Sequence, residues 1–528
     1  MELKTSSFVI YCLMSIFKKI LNASKNLSTP GKVFGTESNR IGLNNGSKEE
    51  LQASSNSIEN EGIKPQGVLA VTEMNDGKSS GLKDKGRKKS FTKIAIFFTV
   101  FFGILIIVAY LFWRFVGNDA PLPLGNKGEI VWWGVQHDPG VYKPLIDKFE
   151  RDNPNIKIKY VRQTTQDYQA RLMSALKSGQ GPDIFEIHNT WPVMLKEYLS
   201  ELPSSVMTKD EFNGSFYPII VSNLTLDKGI VGMPLEYDAL TLFINEDIFS
   251  SALKSPPVGW NEFKSLAIGL TQTSGGKKII QAGTAFGITD NVDHWPEILG
   301  LMLIQNGVNP ANPVGTKNVP TSSLAKSVIT YYRSFSQSKV WDSTLPSSTI
   351  AFSRGELAMY LGSTRRASEI VRENPDLKFR TVLLPQLPKN KPDDPSFSYA
   401  TYWAHAVSSK SKIKEGAWIF LKYLSREDSL KVINNNIAEY ETFKRIYPRP
   451  NMNLEMRQDQ VLGSVISLAY NARSFYLADY TYDGQDGINT LVNNVYKGMV
   501  KYGVSDSSLI SKSQELKQIL GKFGVNVR

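Results

Sequence analysis

The chain has 528 residues, of which 41% are hydrophobic, and a formal net charge of +11. This length exceeds what one compact core accommodates, so we expect at least two lobes. More than half of the net charge lies in residues 1–93, which hold 15 Lys and Arg against 9 Asp and Glu, and this argues against a nucleic-acid-binding face on the main body. The single cysteine, Cys12, excludes an intrachain disulfide framework and a CxxC metal or redox site.

The N-terminal region predicts a membrane anchor. Residues 94–113 form an uncharged, largely apolar run of 20 residues, which as a helix would cross the hydrocarbon core of a bilayer. Residues 1–93 are polar and basic, as in a disordered tail, and their basic cluster before the span places this tail in the cytoplasm and the main body outside. Residues 114–127 predict an extended linker. A cleaved signal peptide is the alternative, but the apolar run exceeds the usual h-region and no small-x-small site follows closely.

The main body opens with alternating strand and helix patterns. Residues 130–133 form an apolar strand run, and Val141, Leu145 and Phe149 then recur at helical spacing. Residues 156–160 alternate apolar and lysine positions, as a strand does, and a second helix and strand pattern follows over residues 168–187. The sequence therefore predicts βαβ units and an α/β fold with an open, wound sheet.

Ligands of such sheets bind beyond the carboxyl ends of the strands. Hydrogen-bonding and aromatic residues follow three predicted strands, which suits a polar ligand with weakly apolar faces such as a sugar ring. For any one of the aromatic residues, an ordinary role in the core is the alternative. The candidates at these strand ends are Gln136, His137, Asp138, His188, Asn189, Thr190, Trp191, Glu236, Tyr237 and Asp238.

Several motifs, in this order, resemble the sugar-binding type of extracellular solute-binding proteins of ABC importers, the family of maltose-binding protein. They are "GPDIF", "GIVGMPLEYDALTLFINEDIF", "PPVGWNEFKSLAIGLT", "FSRGELAMYLGS", "FRTVLLPQLP" and "AVSSKSKIKEGAWIFLKYLS". The resemblance implies a two-lobed periplasmic-binding-protein-like fold with hinge-crossing strands, in which the lobes close on a ligand. It assigns residues 128–240 and 386–436 to lobe 1, and residues 241–385 and 437–528 to lobe 2.

The resemblance also implies ligand-contacting residues. The stretch "DALTLFIN" matches the first hinge crossing, so Asp238 would lie at the mouth of the cleft and accept hydrogen bonds from ligand hydroxyls. Trp295 begins an apolar helix in a region where relatives commonly carry a stacking tryptophan. Tyr402 and Trp403 follow the second crossing and form another candidate pair.

One segment departs from the family. Where relatives often carry an aromatic residue after a Gly-Ser turn, this chain has Arg365 and Arg366. Two guanidinium groups in the cleft would favour an anionic group on the ligand, because Arg matches carboxylate and phosphate geometry. The alternatives are a solvated basic helix start or pairing with Glu369.

Motifs for catalysis are absent from the sequence, since HExxH, GxSxG, GxxxxGK[ST] and GxGxxG do not occur. The stretch "DYTYDGQDG" resembles the start of a calcium loop, but Thr490 stands where the loop requires a glutamate, so an ordinary turn is expected. We therefore expect no catalytic site, metal or cofactor.

Together these features indicate a membrane-anchored, monomeric receptor outside the cell that delivers a carbohydrate-like solute to the permease subunits of an ABC importer, and the arginine pair suggests an acidic group on that solute. The alternatives are a ligand-binding sensor ectodomain and a cell-surface enzyme acting on glycans.

Overall fold

The structure, a computed structural model, describes residues 101–105, 128–389 and 391–527. The predicted tail, the predicted linker and most of the predicted membrane span lie outside these residues; the five described residues of the span are helical. Among the described residues, no helix combines the length and the apolar character that a membrane crossing requires.

Strands and helices alternate along the described chain. The strands are β1 (Gly128–Gly134), β2 (Ile156–Arg162), β3 (Ile184–His188), β4 (Thr225–Leu226), β5 (Gly229–Ile230), β6 (Leu240–Asn245), β7 (Gln272–Ser274), β8 (Lys278–Thr284), β9 (Leu357–Ser363), β10 (Phe379–Val382), β11 (Ser398–Tyr399), β12 (Trp403–Val407) and β13 (Ala472–Arg473). The α-helices are α1 (Pro139–Asp152), α2 (Tyr168–Ser178), α3 (Pro192–Leu195), α4 (Lys209–Ser215), α5 (Pro218–Leu224), α6 (Glu246–Ser251), α7 (Trp260–Leu270), α8 (Trp295–Gln305), α9 (Ser322–Gln337), α10 (Ser348–Ser353), α11 (Arg366–Glu373), α12 (Lys414–Leu424), α13 (Glu427–Glu441), α14 (Gly463–Leu468), α15 (Ile488–Tyr502) and α16 (Asp506–Lys522).

The first sheet has the strand order β12-β3-β1-β2. β1 pairs in parallel with β2 and β3, whereas β12 is antiparallel to β3. Val141, Leu145 and Phe149 are buried on one face of α1, as their spacing predicts. The predicted opening succession of strands and helices is therefore confirmed through β3. We refer to this sheet and the helices packed on it as the first lobe.

The second sheet has the strand order β10-β6-β9-β8-β7. β6 lies between β10 and β9 and is antiparallel to both, and all six of its residues are buried. β8 pairs in parallel with β9, and α7 and α10 pack on these strands. This sheet and its helices form the second lobe.

Three stretches of chain lie side by side between the sheets. Met233 bridges to His405 in β12, and Ala239, just before β6, bridges to Ala400. Tyr237 bridges to Ile446 in the third stretch. The first two stretches thus lead from one sheet to the other, which is the crossing arrangement that the resemblance implied. The residue boundaries of the lobes given above stay a prediction.

Candidate functional site

A cavity of about 80 Å³ lies where the crossing stretches meet the ends of strands from both sheets. Its lining residues come from the loop after β1, the last residues of β3 and β9, the first turn of α11 with the residue before it, the residue before α8, the start of β12, the first two crossing stretches and the segment before α15. They are Gln136, His188, Glu236, Asp238, His294, Ser363, Arg365, Arg366, Glu369, Thr401, Tyr402, Trp403, Asp479, Tyr480 and Tyr482. A larger groove of about 720 Å³ is lined mainly by apolar residues of segments 256–262 and 382–389, and no predicted site residue reaches it. The smaller cavity is therefore the candidate site.

Eight of the candidate residues named from the sequence line this cavity: Gln136, His188, Glu236, Asp238, Arg365, Arg366, Tyr402 and Trp403. Gln136 lies at the cavity because it follows the carboxyl end of β1, where ligands of wound sheets bind. Trp403 pairs with His188 at the same edge of the sheet because β12 is antiparallel to β3. Their contact with a ligand stays a prediction.

The loop after β1 places its next two residues elsewhere. His137 is buried behind the cavity, where its Nε2 lies 3.1 Å from Glu236 Oε2 and its Nδ1 lies 2.8 Å from Glu441 Oε1. Asp138 accepts a hydrogen bond from the Gly140 amide and caps α1. Asp138 thus has a capping role, and its expected contact with a ligand stays a prediction.

The residues after β3 are taken up by packing and internal hydrogen bonds. Trp191 is fully buried, stacks on Tyr168 and meets Trp403 edge to face with ring centroids 5.3 Å apart. Thr190 Oγ1 accepts from Asn489, and Asn189 Nδ2 donates to Asn223 Oδ1 at 3.1 Å. Asn189, Thr190 and Trp191 therefore do not line the cavity in this structure, and α3 begins directly after Trp191; their contact with a ligand stays a prediction.

Two further predicted aromatic residues belong to the core. Tyr237 is fully buried between Tyr217 and Tyr402, with ring centroids 5.0 and 5.8 Å away. Trp295 is the first residue of α8 and is also buried. Neither lines the cavity, and both contribute to packing in this structure; their contact with a ligand stays a prediction.

Both cavity arginines are paired with carboxylates of the chain. Arg365 Nη2 lies 2.5 Å from Glu236 Oε1, and Arg366 Nη1 lies 2.5 Å from Glu369 Oε2. The pairing of Arg366 with Glu369, one of the alternatives raised from the sequence, is confirmed. Burial acts to raise the pKa of Glu236, but Arg365 and His137 outweigh it and hold this pKa far below its usual value.

Arg366 is held from further directions. Its guanidinium lies 3.8 Å from the ring centre of Tyr480, and its Nε lies 3.1 Å from His294 Nε2. Tyr480 in turn donates to Asp293 Oδ1 at 2.5 Å. Arg366 is thus fixed by a cation–π contact and an ion pair within the protein.

Both carboxylate oxygens of Asp238 accept hydrogen bonds from within the protein. Its Oδ1 accepts from the Ala239 amide and from the amide and hydroxyl of Thr364, at 2.8, 3.0 and 2.7 Å. Its Oδ2 accepts from the Arg365 amide at 3.1 Å. Asp238 thus ties the first crossing stretch to the loop before α11, and its expected contact with ligand hydroxyls stays a prediction.

Sequence reasoning missed the segment before α15 as part of the site. Tyr480 and Tyr482 line the cavity with φ values of 53° and 54°, in the left-handed region that residues other than Gly rarely adopt. Asp483 accepts from the Asn489 amide and from Thr490 Oγ1, at the start of α15. The alternation of Asp and Tyr before a helical pattern was the available signal. Within the described residues, no group of three or more His, Cys, Asp or Glu side chains is arranged to hold a metal ion.

A family model for bacterial extracellular solute-binding proteins matches residues 144–433, which is more than half of the chain. The chain belongs to this family. A protein of Brucella abortus strain 2308 that is named as a binding protein is 23% identical to this solute-binding protein over 295 residues, covering 55% of this chain and 69% of the relative. An Escherichia coli protein named as an ABC transporter periplasmic-binding protein is 22% identical over 305 residues, covering 56% and 67%.

Solved structures share the fold of this solute-binding protein. A solute-binding protein of Thermotoga lettingae, bound with α-D-tagatose, has 18% identity and a TM-score of 0.58, covering 75% of this chain and all of the other. A substrate-binding protein of Listeria monocytogenes, in complex with cycloalternan, has 17% identity and the same TM-score and coverage. The two-lobed periplasmic-binding-protein-like α/β fold is thereby confirmed.

Proposed function

We propose that the chain is a receptor that binds a saccharide between its lobes and delivers it to an ABC importer. The observation that carries the proposal is the composition of the cavity. Trp403 and Tyr482 bring aromatic faces to a space that Gln136, Ser363 and Thr401 line with hydrogen-bonding groups. Aromatic faces and polar groups around one small space suit a sugar ring, which has both apolar faces and hydroxyls.

The relatives support the same function. The Escherichia coli relative is named for an ABC transporter, and the solved structures of the same fold hold tagatose and cycloalternan. Among the described residues, the cavity brings no group of side chains together that would specify metal-dependent hydrolysis. A binding role therefore has more support than the enzyme alternative.

The charges in the cavity favour a neutral saccharide over the acidic one that the arginine pair suggested. Four carboxylates, Glu236, Asp238, Glu369 and Asp479, line the cavity beside Arg365 and Arg366. Each guanidinium already has a carboxylate partner. An anionic ligand would have to compete with those partners and approach the remaining carboxylates, which costs free energy.

We also propose that the receptor is anchored by residues 94–113, with its N-terminus in the cytoplasm and the solute-binding part outside as a monomer. The support is the sequence: an uncharged run of 20 residues preceded by a cluster of lysines and arginine. The permease subunits of an importer would then lie in the same membrane as the anchor.

The test of the function is the thermal midpoint of the full-length chain in detergent micelles, measured with a panel of neutral saccharides, uronates, amino acids and dipeptides. A ligand that binds only the folded state raises the midpoint. We expect a rise with at least one neutral saccharide. A rise with amino acids or dipeptides and with none of the saccharides would overturn the proposal.

A further inference from the structure

The side chains of Arg365 and Glu236, at the inner end of the cavity, connect the lobes. We propose that Arg365 is a latch that holds the second lobe to the first at Glu236, and that protonation of His137 weakens this latch, so that acid favours the open, ligand-releasing form. The inference rests on the proposed function in one respect only, that the lobes part to admit and release the ligand.

The latch spans the two sheets. Arg365 follows β9 of the second sheet by two residues, and the amides of Thr364 and Arg365 bind Asp238. Glu236 follows Met233, whose backbone exchanges two hydrogen bonds with His405 of the first sheet, at 2.7 and 2.9 Å. The 2.5 Å contact between Arg365 Nη2 and Glu236 Oε1 therefore joins a loop of the second lobe to a segment fixed on the first.

His137 binds the same carboxylate on the other oxygen. Its Nε2 lies 3.1 Å from Glu236 Oε2, while Arg365 contacts Oε1. The titratable and charged groups that bond to His137, contact its partners or line the small cavity beside it are Tyr142, Tyr160, Glu186, Glu236, Arg365, His405, Glu441, Arg445 and Tyr447. Of these, only Arg365 belongs to the second lobe; the others lie on the first sheet, on α1 and α13, or on crossing stretches.

The charges balance differently in the closed and open forms. In the structure, which we take as the closed form because Arg365 contacts Glu236, the two carboxylates Glu236 and Glu441 face the two guanidinium groups of Arg365 and Arg445. When the lobes part, Arg365 leaves and the carboxylates keep Arg445 alone. A proton on His137, which contacts both carboxylates, restores the balance. The open form should therefore bind this proton more tightly than the closed form.

The sign of the pH effect follows from this difference. Burial lowers the pKa of His137, the two carboxylates raise it to a net value above 6.5, and Arg365 opposes that rise. Opening removes Arg365 and admits water, so the pKa of His137 is higher in the open form than in the closed form. Opening is then favoured as the pH falls from the pKa of His137 in the open form towards its pKa in the closed form. Above the open-form pKa, the pH no longer changes the balance between the two forms. Each pH unit between these two pKa values changes the ratio of open to closed molecules about tenfold.

The test uses the full-length chain without added saccharide. Cys12→Ser removes the native thiol, and spin labels are attached at Lys177→Cys on α2 of the first lobe and at Thr330→Cys on α9 of the second; both positions are exposed. Pulsed electron paramagnetic resonance gives the distribution of distances between the labels at pH 8 and pH 5.5. We expect the distribution to move, on acidification, towards the one that Arg365→Met gives at pH 8.

Matched variants separate the latch from general effects of acid. His137→Gln should lose the pH response, whereas His188→Gln should keep it, because burial lowers the pKa of His188 to about 3 and this group does not titrate between the two pH values. Arg366→Met should keep the closed distribution at pH 8, because the partner of Arg366, Glu369, lies on its own helix.

Several outcomes would overturn the proposal. They are identical distributions at the two pH values, an Arg365→Met variant with the unmodified distribution, or a His137→Gln variant that keeps the response. If a variant at a buried position fails to fold, the distance distributions of the labelled chain with Arg365, Glu236 and His137 intact, at pH 8 and pH 5.5, still test the proposal. Because no saccharide is present, this result stands whether or not a saccharide in the panel raises the thermal midpoint.

Discussion

The carboxylate of Asp238 holds the loop at Thr364, 126 residues further along the chain, through an amide at 3.0 Å and a hydroxyl at 2.7 Å. Asp238 lies on the first crossing stretch and Thr364 directly after the second sheet's strand β9. This contact sets the start of α11 against the crossing stretch, and it thereby positions Arg365 in the cavity.

Replacing Asp238 should destabilise the fold. Asp238→Ala removes a buried acceptor and leaves the amides of Thr364 and Arg365 without it, so we expect the free energy of unfolding to fall by about 1.5 to 3 kcal/mol. Urea denaturation of the full-length chain measures the change. Asp486→Ala, at an exposed turn position, is the control and should stay within about 0.5 kcal/mol of the unmodified chain. Equal values for the two variants would show that Asp238 does not hold the loop.

Trp191 should matter for stability as part of the core. Its ring is buried between Tyr168 and Trp403, so Trp191→Ala should lower the free energy of unfolding by about 3 to 5 kcal/mol. Trp133→Ala, at a partly buried position of β1, is the comparison and should cost less. A ligand-contacting tryptophan outside the core would instead leave the unfolding free energy nearly unchanged while weakening binding.

The sequence revealed the strand ends but not the directions of their side chains. Gln136 and Trp403 line the cavity because the ends of β1 and β3 and the start of β12 meet at one edge, which the alternation of strands and helices predicts. Trp191 follows β3 just as regularly, yet the immediate start of α3 turns its ring into the core. Spacing along the chain does not encode that turn.

Ion pairs between residues far apart in the sequence could not be predicted either. Arg365 and Glu236 are 129 residues apart, and nothing in the sequence indicates that their side chains form an ion pair. Only the three-dimensional structure shows that they neutralise each other. The anionic ligand expected from the arginines followed from treating them as unpaired.

Glu369 should control the preference of the cavity for charge. Glu369→Gln removes the carboxylate on Arg366, so the affinity for an acidic disaccharide should rise about tenfold or more relative to its neutral analogue, as one charge-assisted hydrogen bond would give. Titration calorimetry with matched neutral and uronate-containing disaccharides measures the ratio. Glu373→Gln, an exposed position on the same helix, should leave the ratio unchanged. An unchanged ratio in Glu369→Gln would place Arg366 outside the ligand's reach.

The carboxylates at His137 should make the fold sensitive to strong acid. Burial acts to raise the pKa of Glu441, but His137 and Arg445 lower it to about 2, below its value in the unfolded chain. A group with a depressed folded-state pKa contributes stability that is present above the unfolded value and lost as pH falls through the folded one. We therefore expect up to about 3 kcal/mol of unfolding free energy to be lost between about pH 5 and pH 2.

Urea denaturation across this pH range, with Glu441→Gln, measures that loss. The variant should show a shallower fall with acid, whereas Glu439→Gln, exposed on the same helix, should follow the unmodified chain. The same slope in all three proteins would mean that other carboxylates account for the acid sensitivity.

The most direct test of the account is titration calorimetry of the full-length chain and its Trp403→Ala variant with the neutral saccharide that gives the largest rise in thermal midpoint. Trp403 lines the cavity and rests on Trp191, whereas Trp133 of β1 does not line it, so Trp133→Ala is the control. A stacking aromatic residue contributes roughly 0.5 to 1.5 kcal/mol beyond its buried area, which corresponds to a loss of affinity of about two- to tenfold, and we predict a loss of at least this size in Trp403→Ala alone. Unchanged saccharide binding in Trp403→Ala would contradict the assignment of this cavity as the binding site.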